Sequence, residues 1–394
     1  MSRYCFITGF LRSGTTLVEK LMHSLPGGCI GPQPFPFLYH DVKRLFLRSY
    51  GEGDERYPLG HLFREDRYGP EDFQAFLTRH RVTPEAVATS FARMRGYSGW
   101  QLPALAAHAE HVGEGSFAQV YRALCDSLPE ILGRDPSALL GAKEVFCEEF
   151  VPYLIAEGVS TILVVRDIRD VLTSLKLGGG GTYGDSALPV LHIVRQWRKS
   201  VAFALEFADG PGFELVRYEE LVAQPHASLE RLAERMHCDP PPGGTIGELR
   251  DQEGRAWEGN SSFGPLHGIS RDAVGRFADR LPPTWTAAVE SLCAPEMRAL
   301  GLTPTAGGDI DDRHLAETVE RAANEMDLVG PAESLAEELG AERERARMIV
   351  DGDAAEREQR RCFIFPGAYR RLVQAAAAPL PALAARHAHD TGRT

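Results

Sequence analysis

Arg3-Tyr-Cys-Phe-Ile-Thr-Gly9 runs directly into Phe10-Leu-Arg-Ser-Gly-Thr-Thr16, and this stretch decides the fold. Arg3–Gly9 is a short apolar run bounded by glycine, the pattern of a buried strand. Gly14–Leu25 reads as a helix, with Leu17, Leu21 and Met22 on one stripe and Pro26-Gly27-Gly28 as its stop. Between strand and helix, Gly9 and Gly14 bracket a four-residue gap, and Thr15 and Thr16 follow. Glycine lets backbone approach an anion closely, successive N–H groups point inward, and a helix start offers partial positive charge. The skeleton is that of a Walker-type phosphate loop. One feature departs from it. A nucleotide triphosphatase carries Lys after the second Gly, where Thr15 stands, and here the cation sits inside the loop as Arg12.

Working outward, Phe35–Tyr50 reads as a second helix, and residues 70–135 hold several helical stretches separated by Pro and Gly, expected as an insertion between strands. Ala138–Ala142 is a short strand leading to Lys143. The continuous β-branched run Ser160–Val165 suits a central parallel strand covered on both faces. Asp167–Leu177, Leu188–Ala208 and Ala227–Met236 read as helices and Phe213–Arg217 as a strand. Strands alternating with helices imply an α/β fold: a P-loop-like, mostly parallel β-sheet flanked by helices, with right-handed crossovers.

The composition shifts after Leu302. Thr303–Asp309 is a Gly/Pro/Thr linker, followed by two acidic, Ala- and Arg-rich helices, about Asp312–Leu328 and Pro331–Val350, and an apolar turn at Cys362–Pro366. The expected organisation is an α/β domain over 1–302, with the helical insertion at about 70–135, and a C-terminal helical extension over 303–394. The end, Ala375–Thr394, is expected to be loosely ordered. No internal repeat is present.

With 394 residues, 43% of them apolar, the chain can bury a sizeable core. A net charge of -12 disfavours duplex nucleic acid as a partner but leaves room for a local basic pocket. The seven cysteines are scattered and form no C-x-x-C pair, which fits reduced thiols in a cytoplasmic protein and offers no zinc cluster. The chain enters a strand almost at once, so no signal peptide is expected, and no apolar run approaches the ~20 residues that span a bilayer.

A second anion turn follows the Ser160–Val165 strand: Arg166-Asp-Ile-Arg-Asp-Val-Leu-Thr-Ser174. Arg166 and Ser174 bracket the first turns of one helix, where a guanidinium fork and a hydroxyl can face one anion. Taken with the first loop, these residues resemble the sulfotransferase family that uses 3′-phosphoadenosine 5′-phosphosulfate (PAPS). The resemblance covers about residues 3–302. Its Arg-containing first loop is similar to bacterial and Golgi tyrosylprotein-type members, whereas cytosolic members carry Lys there. It implies that Arg12, Ser13, Gly14, Thr15 and Thr16 hold the 5′-phosphosulfate, and that Arg166 and Ser174 hold the 3′-phosphate. Three further stretches are similar to family segments near the nucleotide: Val216-Arg-Tyr-Glu-Glu-Leu-Val222, Trp257-Glu-Gly-Asn-Ser-Ser-Phe263 and Val274-Gly-Arg-Phe277. They propose Tyr218, Ser261 or Ser262, and Arg276.

The implied activity moves a sulfuryl group from PAPS to a hydroxyl or amine of a small-molecule or carbohydrate acceptor, without a metal, leaving adenosine 3′,5′-bisphosphate. Arg12 would clamp charge developing on the leaving phosphate. Lys143 aligns with a family Lys that bridges sulfuryl and leaving oxygens. The family's two base positions hold Gln33, in Gly31-Pro-Gln-Pro34, and Val145. The nearest substitutes are His40, Asp41 and Glu144. The aromatics of Pro32-Gln-Pro-Phe-Pro-Phe37 suit a sugar or an aromatic ring in the acceptor. The extension is expected to pack on the domain, to cap the acceptor cleft or to make a homodimer contact. Two other functions compete. A P-loop kinase would need a loop Lys and a metal-binding carboxylate, against which Arg12 and Thr15 argue. A non-catalytic nucleotide-binding protein would explain the missing base.

Overall fold

The computed structural model describes residues 3–51, 68–97, 99–134, 139–178, 188–251, 254–264, 266, 268–305 and 312–378. The strands β1 (Arg3–Gly9), β2 (Gly28–Pro32), β3 (Leu139–Lys143), β4 (Ser160–Val165) and β5 (Phe213–Arg217) form one sheet in the order β2-β3-β1-β4-β5. All four pairings are parallel. Ile7 of β1 lies between Lys143 of β3 and Ile162 of β4, so β3 ends first and β1 and β4 run on past it to Gly9 and Val165. The loops that leave them carry Arg12, Lys143 and Arg166 to one edge of the sheet, where open α/β folds build their sites.

The helices Thr15–Ser24, Pro36–Ser49, Ile168–Lys176, Val190–Phe207 and Pro225–Arg235 lie within two residues of where periodicity puts them. β4 is buried from Thr161 onward, as its apolar run requires. β2 was not legible. Gly28-Cys-Ile-Gly-Pro32 contains two glycines and a proline, poor strand formers, and reads only as the stop of the preceding helix. Pairing with β3, from Gly28 opposite Leu139 to Pro32 opposite Lys143, makes it an edge strand. The consequence is functional, because the chain leaving β2 puts Gln33 beside Lys143, and the Gln33 N–H donates to the Lys143 carbonyl at 2.9 Å.

Insertion helices, among them Pro70–Arg79, Pro84–Met94 and Phe117–Asp126, set Phe73, Phe91, Phe117 and Tyr121 into one core with Phe6, Phe35 and Tyr39. Beyond Thr305 the helices are Asp312–Ala322, Leu335–Asp351, Glu356–Cys362 and Pro366–Ala377. The first two are shorter at their edges than the sequence suggests. Most of the linker, 306–311, and the end, 379–394, lie outside the described residues. The extension belongs to the same core: Leu315, Val319, Leu339, Ile349, Phe365 and Leu372 join it, and the Phe365 ring meets Phe203 at 4.9 Å and Phe207 at 5.7 Å.

All seven cysteines are free thiols. Among the described residues no helix is long and apolar enough to cross a membrane, and no group of three His, Cys, Asp or Glu stands where it could hold a metal ion.

Candidate active site

The loop after β1 is pinched from two sides. A Cβ on Gly9 would stand 2.4 Å from the Val164 carbonyl, and one on Gly14 (φ 98°) would stand 2.4 Å from Cδ2 of Tyr218. Both positions therefore require glycine. Between them Arg12 adopts a left-handed backbone, φ 62°, a conformation that residues with side chains keep only where surroundings enforce it. Its guanidinium reaches across the site. Nε donates to Ser174 Oγ at 2.9 Å, Nη1 to Asn260 Oδ1 at 2.9 Å and Nη2 to the Asn260 carbonyl at 2.6 Å. Beneath the loop, the buried Ser13 hydroxyl has no hydrogen-bond partner.

The second turn starts where β4 ends. Asp167 caps the helix Ile168–Lys176, its Oδ1 accepting from the Arg169 N–H at 2.9 Å. Arg166 Nη1 donates to the Arg12 carbonyl at 3.1 Å, and Nη2 donates to the Ala273 carbonyl. Its guanidinium lies 4.6 Å above the Tyr218 ring and 3.7 Å from the Asp170 carboxylate. Arg166 Nε is buried and unpartnered. The two anion turns are thus in direct contact, through Arg12–Ser174 and Arg12–Arg166. Asp170 also accepts from the Gly275 and Phe277 N–H groups, at 2.8 and 3.0 Å, and so ties the late segment to the same place. There Ser262 Oγ lies 3.0 Å from Ser174 Oγ, while Ser261 Oγ accepts from Arg276 Nη1 at 3.3 Å.

Lys143 ends β3, only 1% exposed, and donates from Nζ to Gln33 Oε1 at 2.9 Å. The same oxygen accepts from Gln101 Nε2 at 3.3 Å. Burial pushes the Lys143 amine below the ordinary lysine range, with Glu19 and Glu144 pulling the other way. Burial pushes the Glu144 carboxyl up, although Lys143 and the Phe35 N–H favour its charged form.

These elements enclose a cleft of about 910 Å3. Arg12, Gly14, Thr15, Thr16, Lys143, Arg166, Ser174, Tyr218, Ser261 and Arg276 all line it, with Ser262 beside them. Ser13 is buried and is not among the lining residues. In a chain of net charge -12, the described residues of the lining carry four cations, Arg12, Lys143, Arg166 and Arg276, and one carboxylate, Asp170.

His40, Asp41 and Glu144 do not line this cleft. The helix Pro36–Ser49 carries the first two past Gln33 toward the insertion. There Asp41 accepts from Ser90 Oγ at 2.6 Å and pairs with Arg93. The His40 ring stands 6.0 Å from Phe37, its pKa pushed down to about 4 by burial and then by Lys43 and Arg44. Glu144 points instead to the Phe35 N–H, at 3.2 Å. Sequence reasoning missed Asn260 and Asp170. Asp170 had a signal, since it stands one helical turn beyond Arg166, at the i,i+4 spacing where opposite charges meet.

No family model and no curated protein matches the chain. Solved structures similar to it include three sulfotransferases or sulfotransferase domains. The sulfotransferase domain from the curacin biosynthetic pathway is 19% identical, with a TM-score of 0.39 over 72% of this chain and 93% of that one. The sulfotransferase domain of the Synechococcus olefin synthase is 14% identical, with a TM-score of 0.38 over 82% and 95%. A Mycobacterium tuberculosis sulfotransferase is 15% identical, with a TM-score of 0.30 over 61% and 68%. At these low identities and TM-scores the likenesses decide neither the activity nor the substrate of this chain.

Proposed function

We propose that the chain is a sulfotransferase that moves the sulfuryl group of PAPS to a hydroxyl or amine of a small-molecule or sugar acceptor. One observation carries the proposal: two anion-gripping turns, far apart in sequence, meet in a single cleft whose described lining residues hold four cations against one carboxylate. The donor set fits a nucleotide with phosphate groups at both ends. Arg166 Nε, in the second turn and on the cleft lining, is a buried donor without a partner. Unpaired buried donors are costly, and an anion would satisfy them.

In this reading the loop Arg12–Thr16 and the start of the helix Thr15–Ser24 hold the 5′ end, and Arg166 with Ser174 holds the 3′-phosphate. Ser261, Ser262 and Arg276 close that end from the late segment. Tyr218 supports both turns, since its ring touches Gly14 and lies under Arg166. Trp257 and Phe263 give the cleft aromatic wall for a base. PAPS supplies an activated sulfuryl group. Arg12, always charged, stabilises negative charge on the departing phosphate. To do so it exchanges its bonds to Ser174 and Asn260 for the ligand. No residue of the chain is required to bind a metal in this scheme. Seven free thiols fit a reducing, cytoplasmic setting, and such an address disfavours secreted peptide tyrosine as acceptor.

The test is calorimetric titration with adenosine 3′,5′-bisphosphate and with adenosine 5′-phosphate, followed by transfer from radiolabelled PAPS to a panel of sugars, phenols and amines. Preference for the bisphosphate, and sulfated product, are the expected results. Equal affinity for the two nucleotides would overturn the two-turn cradle. Transfer of the γ-phosphate from ATP would make the chain a kinase instead, and tight bisphosphate binding without turnover would make it a binding protein.

A further inference from the structure

The usual base positions hold Gln33 and Val145, and both side chains line the cleft without being able to take a proton. The other titratable groups of the lining can be taken in turn. Arg12, Arg166 and Arg276 are guanidinium cations, which donate hydrogen bonds and offer no lone pair to a proton. Asp170 is engaged by two backbone N–H groups and by Arg166. Burial pushes the Tyr218 phenol up, and its ring is wedged between Gly14 and Arg166. Among the described residues of the lining, Lys143 is what remains.

Its surroundings suit an amine that loses its proton. Lys143 is buried among apolar strand residues, and Nζ meets the Gln33 Oε1, an oxygen that can only accept. A carboxylate in that place would lock the ammonium charge by ion pairing. A carboxamide positions the nitrogen without fixing its charge, and Gln101 holds the carboxamide in turn. The charged groups that face Lys143 are Glu19 and Lys20, on the helix Thr15–Ser24, and its neighbour Glu144. Glu19 and Glu144 favour the ammonium form, while burial and Lys20 favour the amine, and burial is the largest of these effects.

We propose that Lys143 is the general base of the transfer, held in place by the Gln33 carboxamide. This rests on the sulfotransferase reading above. The acceptor O–H proton passes to the lone pair of the neutral Nζ as the acceptor oxygen bonds to sulfur. The bond between sulfur and the bridging oxygen breaks, and its electron pair leaves on the 5′-phosphate of adenosine 3′,5′-bisphosphate. The ammonium so formed stays in the cleft beside Arg12, where its charge favours the departing phosphate.

The experiment has one arm that needs no turnover. Lysine labelled at Cε is titrated by NMR in the free protein, with Lys143→Arg used to assign the signal. The Lys143 signal should inflect below the ordinary lysine value of about 10.4 and well above the carboxylate range near 4. Gln33→Glu should move that inflection up, since an added negative charge favours the ammonium. In the second arm, kcat should rise with pH through the same inflection. Lys143→Arg should lose about 10²-fold or more in kcat and keep bisphosphate affinity within a few fold. Adding Gln33→Glu to Lys143→Arg should restore part of the turnover, because a carboxylate then stands where the proton is released. If Lys143→Arg fails to fold, Lys143→Gln serves in its place. A Lys143 signal at the ordinary lysine value overturns the proposal. So does a kcat inflection in the carboxylate range that survives in Lys143→Arg. Failure of the wild type to bind the bisphosphate or use PAPS would remove the transfer reading itself, a result distinct from a misplaced Lys143 titration.

Discussion

Buried arginines occur in two settings in this protein, and the difference separates structure from function. Where the extension meets the domain, they are matched by carboxylates. Arg195 pairs with Glu338 at 2.6 Å and Glu342 at 2.8 Å, Arg198 with Glu342 at 2.6 Å, and Arg169 with Asp167 and Glu290, both at 2.6 Å. In the cleft, the half-buried Arg12 bonds a hydroxyl, an amide and a carbonyl, and the buried Arg166 leans on two carbonyls with Asp170 at 3.7 Å. Burying a charge is costly unless it is neutralised. There the domain's arginines and the extension's carboxylates neutralise one another, which fixes the extension on the domain. In the proposed reading the cleft's cations meet the phosphates of a bound nucleotide. The turn at Arg166–Asp170 contains both cases: Arg166 and Asp170 face the cleft, while Asp167 and Arg169 face Glu290 on the opposite side.

This contrast can be broken by experiment. The largest effect is expected from Glu342→Gln, which takes from Arg198 its close carboxylate and leaves Arg195 with Glu338 alone. Thermal unfolding should show a loss of about 3–5 kcal/mol, and bisphosphate affinity should not change. The pH dependence has a definite sign. Burial would raise the Glu342 pKa, but Arg198 and Arg195 outweigh it and hold the pKa at about 2. The unfolded value is about 4.3, so this contribution is whole above that pH and fades as pH falls toward the folded value. Unfolding scans at descending pH should show the fall, and Glu342→Gln should flatten it.

In the cleft the order reverses, with function lost and stability kept. Arg12→Ala should lower kcat by roughly 10²–10³-fold, the scale for removing one donor that faces developing charge. Its melting temperature should not fall. Arg166→Gln should weaken the bisphosphate by about 1.5–3 kcal/mol, the scale of a hydrogen bond to a charged group, and should hardly touch adenosine 5′-phosphate. Equal loss for both nucleotides would put Arg166 at the wrong phosphate. Ser174→Ala should cost least, about 0.5–1.5 kcal/mol in bisphosphate affinity by calorimetry. Deleting the whole extension would blur the comparison, because Leu315, Phe365 and Leu372 belong to the common core and their loss would expose it.

Much of the site was legible because its residues sit at the ends of elements with clear periods. Arg12 and Thr16 flank the start of a helix, and Arg166 follows an apolar strand, so local pattern placed both at sheet ends. The base did not yield to the same reasoning. His40 and Asp41 are close to Gln33 in sequence, but little more than one turn of helix sets them beside Phe37 and against Ser90 and Arg93. Asn260 escaped because its partner is Arg12, 248 residues away.

By itself the sequence determined the strand–loop–helix units, the glycines at 9 and 14 and the cations that follow β1, β3 and β4, because these depend on local backbone sterics and on alternation of apolar residues. Tertiary structure alone decided that β2 is a strand, that Gln33 holds Lys143, and that Asp170 is the one carboxylate among the described residues of the cleft lining. Strand pairing and the neutralisation of buried charge join residues across more than a hundred positions, and no local pattern records such partners.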